Sequence, residues 1–224
     1  MKWTKLSPYD PSKPFPSARS YHCSTSDHKD KIFVHAGCPE SGRLEDLWTF
    51  QPSSCTWTRL ADAPGPPRGG TSITFHEGLL YRMNGFDGTS EQGGSLDIFD
   101  PASNNLWSTK QYTADGTSGP VPRSVAAVLS VVANGKPLLV TLFGESDPSS
   151  LGHQGAGKML GDVWAYDIAS DTGSEVDTTA TSISGRAAPR GWFDADVVDK
   201  SAILVSGRLG EENNRLDDAW MPQF

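Results

Sequence analysis

With only three cysteines in 224 residues and no C-x-x-C pair, the chain cannot build a disulfide framework or a cysteine-based zinc site. Cys23, Cys38 and Cys55 read as small apolar fillers in a reducing compartment. Long hydrophobic runs are also missing. The longest nearly apolar stretch, 125–133, is far short of the ~18 residues that a membrane span needs. The opening Met1-Lys-Trp-Thr-Lys-Leu-Ser-Pro8 lacks the apolar core of a secretory signal. A cytoplasmic chain with no membrane partner is the expectation. Nowhere do Lys and Arg cluster, and the net charge is −8, which argues against a nucleic-acid partner. Amphipathic periods of three helical turns are absent as well, which argues against a helical domain.

What the chain has is turn chemistry and repetition. Twenty-three glycines and sixteen prolines point to many short strands. The length suffices for one large domain or two small ones, burying roughly 70–75% of the extended-chain surface without staples. Four arginines each open a similar block: Arg19-Ser-Tyr, Arg68-Gly-Gly, Arg123-Ser-Val and Arg190-Gly-Trp. A short apolar strand follows each time and ends on a glycine: Ala36-Gly37, Asn84-Gly85, Phe143-Gly144, Ser206-Gly207. A third strand carries Leu44-Glu-Asp-Leu-Trp48, Ser95-Leu-Asp-Ile-Phe99, Leu160-Gly-Asp-Val-Trp164 or Leu216-Asp-Asp-Ala-Trp220. Trp57 and Trp107 mark a fourth strand in the first two units. The third unit has no such tryptophan, so its fourth strand is expected in degenerate form within 176–183.

Four strands recurring about every fifty residues mean propeller blades. The expected fold is all-β, one propeller domain over 1–224 with units near 19–60, 68–110, 123–183 and 190–224. Trp3-Thr-Lys-Leu6 has the fourth-strand pattern and stands ahead of the first unit as an extra outer strand. Either it closes the last blade of a four-bladed ring, or it finishes a blade that the sequence does not contain. In the second case the blades form an open arc, whose unpaired edges predict self-association. The block-opening arginines, recurring in every unit, are expected to tie neighbouring blades together.

One stretch departs from the scaffold. Glu145-Ser-Asp147-Pro148 is followed by His153 in a Gly- and Pro-rich loop after an apolar strand. Pro148 drives Asp147 towards an extended conformation, and the loop is long enough to turn Glu145 and His153 to one point. Carboxylates with a neutral imidazole suit iron, manganese or zinc better than calcium. The plainer alternative is a surface loop with solvated acids and an incidental histidine.

The Pro-Arg openings, the apolar strand before glycine, the Leu-x-Asp-x-Trp strand and the closing tryptophan resemble the kelch repeat. The double glycine of that repeat is reduced here to its second member. Within kelch proteins, all four units look like the nitrile-specifier and thiocyanate-forming proteins of glucosinolate-containing plants, most densely from Gly85-Phe-Asp-Gly88 to Gly191-Trp192. That resemblance implies a six-bladed ring, of which this chain would be the C-terminal part without the N-terminal blades, and ferrous iron held by a Glu-x-x-x-Asp-Pro-x-x-His loop. Glu145 and His153 keep the family's spacing, Asp147 is displaced and Ser149 takes the family's Asp position. By the same resemblance, Arg43, six residues past Gly37, would face a substrate sulfate and Trp192 would line the pocket. The implied activity is an Fe(II)-dependent lyase-type step on a small thiohydroximate-O-sulfate-like substrate. The alternative is a non-enzymatic kelch platform for a protein partner, with Arg43 a solvated loop charge and Trp192 a packing residue.

Overall fold

The computed structural model describes residues 2–6, 10, 12–103, 106–150, 157–178 and 185–224, with only the backbone of Arg208. No helix occurs among them. The first blade is an antiparallel sheet of β1 (Cys23–Ser26), β2 (Ile32–Gly37), β3 (Leu44–Gln51) and β4 (Thr56–Arg59), in that order. The second repeats the order with β5 (Ser72–His76), β6 (Leu79–Met83), β7 (Ser95–Phe99) and β8 (Trp107–Gln111). In the third, β9 (Ala127–Ala133) and β10 (Lys136–Leu142) are followed by a two-stranded ribbon, β11 (Glu145–Ser146) and β12 (Lys158–Met159). That blade is completed by β13 (Val163–Asp167) and β14 (Thr172–Glu175). β15 (Arg190–Gly191) leads into the fourth blade, β16 (Asp194–Val198), β17 (Ala202–Gly210) and β18 (Arg215–Trp220).

Turn residues cut these strands to length. Asp100 takes the N–H of Ala102 at 2.8 Å, and Asp167 that of Ala169 at 2.9 Å, so each carboxylate closes an Asx turn before a fourth strand. The third unit's outer strand therefore begins at Thr172, ahead of the expected 176–183. Its Ser/Thr/Gly composition hid it, and residues 179–184 lie outside the described set.

Blades pack face to face through apolar residues that alternate along their strands. Phe33, Leu47, Ile73, Leu80 and Phe99 join the first blade to the second. Tyr81, Met83, Leu96, Val128 and Leu139 join the second to the third. Val131, Val140, Val163, Ile203 and Val205 join the third to the fourth. Each fully buried aliphatic of this kind contributes roughly 1.5–3 kcal/mol. No such cluster joins the fourth blade to the first among the described residues. Ile32 and Leu204 remain 39% and 44% exposed along that seam. Residues 2–6, expected as an outer strand, form no strand and are exposed.

The turn glycines explain the reduced double glycine. Ala36, Asn84 and Phe143 hold left-handed backbone at φ +59°, +64° and +55°, ahead of Gly37, Gly85 and Gly144 near +100° to +120°. A Cβ on Gly37 would come 2.6 Å from the carbonyl oxygen of Ser20, so in the first blade this position admits glycine alone. In the fourth blade Val205 pairs with Trp220 as Val34 pairs with Trp48. Gly207, at φ +50°, therefore takes the first of the two positions, which corrects the Ser206-Gly207 alignment.

Behind the turn in the first, third and fourth blades sits an ion-paired arginine. Arg19 chelates Asp46 at 2.6 and 2.8 Å, Arg123 chelates Asp162 at 2.7 and 2.8 Å, and Arg190 chelates Asp218 at 2.6 and 2.9 Å. The same aspartates accept the indole N–H of Trp48, Trp164 and Trp220. These side chains stay within their own blade, so the expected tie between blades falls to the backbone. The carbonyls of Arg68, Arg123 and Arg190 accept the N–H of Gly37, Gly85 and Gly144 in the preceding blade.

The second blade departs from the rule. Its register puts Ser95 where the others have aspartate and Asp97 where they have tryptophan. Arg82, opposite Asp97, binds that carboxylate at 2.6 Å with both side chains buried. Arg82 also donates to the Pro64 carbonyl at 2.6 Å and lies 3.4 Å from Nε2 of His35. Nδ1 of His35 is 2.9 Å from the Asp46 carbonyl oxygen, so Nδ1 carries the proton and Nε2 accepts from Arg82. Burial, reinforced by the Arg82 charge, pushes the His35 pKa down to about 3. Arg68, left without a carboxylate, donates to the carbonyls of Gly65, Pro66 and Asn84.

Candidate functional site

The inner strands surround a cavity of about 1440 Å³ that opens among the turns 27–29, 76–78 and 199–200. The opposite end is spanned by one residue from each blade, two after its arginine. Tyr21, Gly70, Val125 and Trp192 all have left-handed backbone, φ +53°, +59°, +46° and +65°. They form a hydrogen-bonded chain: Gly70 N–H to Tyr21 O at 3.0 Å, Val125 N–H to Gly70 O at 2.8 Å and Trp192 N–H to Val125 O at 3.0 Å. Between its two ends the Tyr21 and Trp192 rings meet edge to face, centroids 5.4 Å apart. The first and fourth blades thus touch at the mouth, although no shared apolar core joins them among the described residues.

Around this mouth the loops between second and third strands bring charged groups together. Glu145, 5% exposed, is held by its backbone bridge to Ser124 and by the β11–β12 ribbon. One carboxylate oxygen accepts the Gly157 N–H and the other accepts Nε1–H of Trp192 at 3.1 Å. Glu91 comes from the second blade and accepts Ser124 Oγ–H at 3.2 Å, while its Oε2 is buried with no partner among the described residues. Burial pushes the Glu91 pKa up to about 8; the Ser124 hydrogen bond opposes this, and nearby Glu145, Asp87 and Asp147 add to it. At neutral pH Glu91 is therefore a largely protonated acid.

Arg43 lies on the first-blade side of the mouth. Its guanidinium donates to the Gly42 carbonyl at 2.9 Å and sits 5.9 Å from the Phe86 ring centre, with Nε buried and unpartnered among the described residues. Arg43, Cys38 and Tyr21 all pack against Gly69, where a Cβ would lie 2.5 Å from Cys38 Sγ. Burial raises the Cys38 thiol against the opposing pull of Arg43.

Of the residues singled out from the sequence, Glu145 and Trp192 are in direct contact, and Arg43 lies beside Gly69, as does Tyr21, whose ring meets Trp192. Asp147 is exposed, with φ +50° instead of the extended backbone expected before Pro148. His153 lies outside the described residues. No group of three His, Cys, Asp or Glu that could hold a metal occurs among the described residues. Glu91 was missed, because nothing in its local spacing marks it. Aligning the third strands finds it: Arg43, Gln92 and Met159 share one repeat position, with Gly42, Glu91 and Lys158 just before it.

Four blades of one strand order, a left-handed turn before each third strand and the arginine–aspartate–tryptophan unit decide the architecture. The fold is a kelch-type β-propeller. Over 119 residues, half of this chain, the sequence is 34% identical to beta-scruin of Limulus polyphemus, a kelch-repeat protein. The aligned part is 12% of that protein's length. No family model matches the chain. The repeated blade pattern accounts for the glycines, arginines and tryptophans, whereas Glu91, Glu145 and Arg43 are peculiar to single blades.

Proposed function

We propose that this kelch propeller is a binding module whose recognition site is the mouth spanned by Tyr21, Glu91, Glu145 and Trp192, and that its partner is a protein presenting a basic side chain. The observation that carries the reading is the buried acid pair: Glu91, uncharged and with one oxygen unpartnered among the described residues, beside Glu145, rimmed by two aromatic rings. An incoming ammonium or guanidinium stabilises both carboxylates and displaces the Glu91 proton, while the ring faces add cation–π attraction. The net charge of −8 favours approach of such a partner. Calorimetric titration with short peptides differing only in Arg against Gln at one position tests this. Preference for the Arg peptide, lost in Glu145→Gln and Trp192→Ala, supports the reading, and equal binding of both peptides contradicts it.

The contact of Trp192 with Glu145, and the nearness of Arg43, favour a second reading: a small-substrate lyase resembling the nitrile-specifier proteins. The donor set fits in part, since each Glu145 oxygen that accepts one N–H keeps a second lone pair. Glu145, Asp147 and His153 would hold Fe(II), which when bound would supply a Lewis acid with affinity for a substrate thiolate. Arg43 would fork onto a sulfate, and Trp192 would pin the Glu145 carboxylate. Titration of anaerobic protein with Fe(II), wild type against His153→Ala, tests it. Stoichiometric uptake that the substitution removes supports iron, and identical weak uptake by both proteins overturns it.

A further inference from the structure

Among the described residues the fourth blade has no outer strand: β18 pairs with β17 on one side and with no strand on the other. A cavity of about 340 Å³ lies beside that edge, between the third and fourth blades, lined by residues that include Val163, Val176, Asp177, Val205 and Pro222. Strand register gives each of these a counterpart one pair of blades earlier. They correspond to Leu47, Leu60, Ala61, Arg82 and Phe99. Between the first and second blades those residues surround Trp107, the first residue of an outer strand. Its ring packs 5.0 Å from that of Phe99, its Nε1–H donates to the Ala61 carbonyl at 3.0 Å, and the Arg82 guanidinium lies 5.6 Å from its centre. Among the described residues the cavity is a tryptophan site without a tryptophan. The second–third interface shows the same rule, because Gly173 occupies the tryptophan position there and a cavity of about 140 Å³ remains.

A matching strand exists in this chain. Trp3-Thr4-Lys5-Leu6 reproduces Trp57-Thr58-Arg59-Leu60 of the first blade, and Trp3 and Leu6 are left 90% and 55% exposed. We infer that residues 3–6 dock on the outer edge of β18 of the same molecule, seating Trp3 in the cavity. The first blade supplies the register. Phe50 stands opposite Trp57, Thr49 opposite Thr58, and Trp48 opposite Arg59, whose guanidinium lies 6.0 Å from the Trp48 ring centre. By that register Trp3 faces Pro222, Thr4 faces Met221, and Lys5 lies over Trp220. The Leu6 N–H then reaches the Ala219 carbonyl, as Leu60 N–H reaches Leu47 O at 2.8 Å. Burying an indole and pairing an exposed edge both favour docking. Residues 7–18 can span roughly 40 Å, and they lead to Arg19, two residues from the Tyr21 ring that already touches the fourth blade.

A variant carrying both Thr4→Cys and Met221→Cys tests the docking, because residues directly opposite across two antiparallel strands lie about 4.5–5.5 Å apart at Cα, within disulfide range. Monomer isolated by size exclusion is oxidised at low concentration, and the bridge is mapped by peptide mass spectrometry. An intrachain disulfide between the two introduced thiols is expected, and in the protein without added cysteines Trp3→Ala is expected to lower the thermal midpoint by at least about 3 °C. A link found only between two chains overturns the inference and assigns the β18 edge to a second copy. Absence of any link, with an unchanged midpoint for Trp3→Ala, overturns it outright.

Discussion

The indole of Trp192 donates to Oε2 of Glu145 at 3.1 Å, joining the fourth blade to the irregular loop of the third. Forty-seven residues separate the two in sequence. Trp192 has left-handed backbone, a conformation that costs a bulky residue energy and that Gly70 adopts freely at the same repeat position.

Removing the indole donor strands a buried carboxylate oxygen. Trp192→Phe is expected to destabilise the protein by about 1–3 kcal/mol, with Glu145→Gln in the Trp192→Phe background recovering part of the loss. Urea denaturation of the two single variants and the double variant measures the coupling.

Glu91 gives a pH dependence of known sign. Its folded pKa, raised to about 8, lies above the unfolded carboxylate value, so the folded state binds the extra proton between about pH 4.5 and 8. Stability from this group falls as pH rises through that window. Glu91→Gln is expected to be more stable than wild type at pH 8.5, by on the order of 1–2 kcal/mol, and to match it at pH 4. Thermal melts at the two pH values check this.

His35 acts in the opposite direction. Its folded pKa, near 3, lies below the unfolded value, so stability is fully present above about pH 6.5 and is lost as pH falls towards 3. His35→Gln keeps a donor for the Asp46 carbonyl and an acceptor for Arg82. It is expected to flatten the slope of unfolding free energy between pH 6 and 4 by up to ~1.4 kcal/mol per pH unit. Burial works to raise the carboxylates of Asp46 and Asp162, but their arginines outweigh it and hold both low. They add acid sensitivity that this substitution leaves in place.

The second blade's Arg82–Asp97 pair replaces the valine–tryptophan pair found at Val34 and Trp48. Asp97→Asn, which leaves a buried guanidinium without its counter-charge, is expected to cost about 3–5 kcal/mol. Arg82→Val with Asp97→Trp and Ser95→Asp copies the first blade and is expected to cost less than Asp97→Asn alone. Chemical denaturation of both variants decides it.

Much of this was legible in the sequence because it repeats. The arginines, the turn glycines and the third-strand tryptophans recur at fixed offsets, so one blade predicts the next. What escaped was whatever one blade does alone. Asp97 looked like a counterpart of Asp46, and only the strand register shows it two positions further on, at the place of Trp48. Gly207 was misplaced by one residue for the same reason. The outer strand at Thr172–Glu175 carries no apolar side chain for periodicity to find. Arg43, Glu145 and Trp192 could be picked out by resemblance, whereas Glu91 acquires its chemistry from burial beside Ser124 and Glu145, which lie far from it in sequence.

The most direct test of the mouth as a cation-recognising site is the indole N–H resonance of Trp192, assigned by Trp192→Phe, during titration with N-acetyl-arginine amide. A saturable shift is expected, tighter at pH 9 than at pH 6.5 because Glu91 must give up its proton, and lost in Glu145→Gln. A resonance that stays still throughout the titration, or shifts equally at both pH values and in Glu145→Gln, would contradict the assignment of the acid pair to binding.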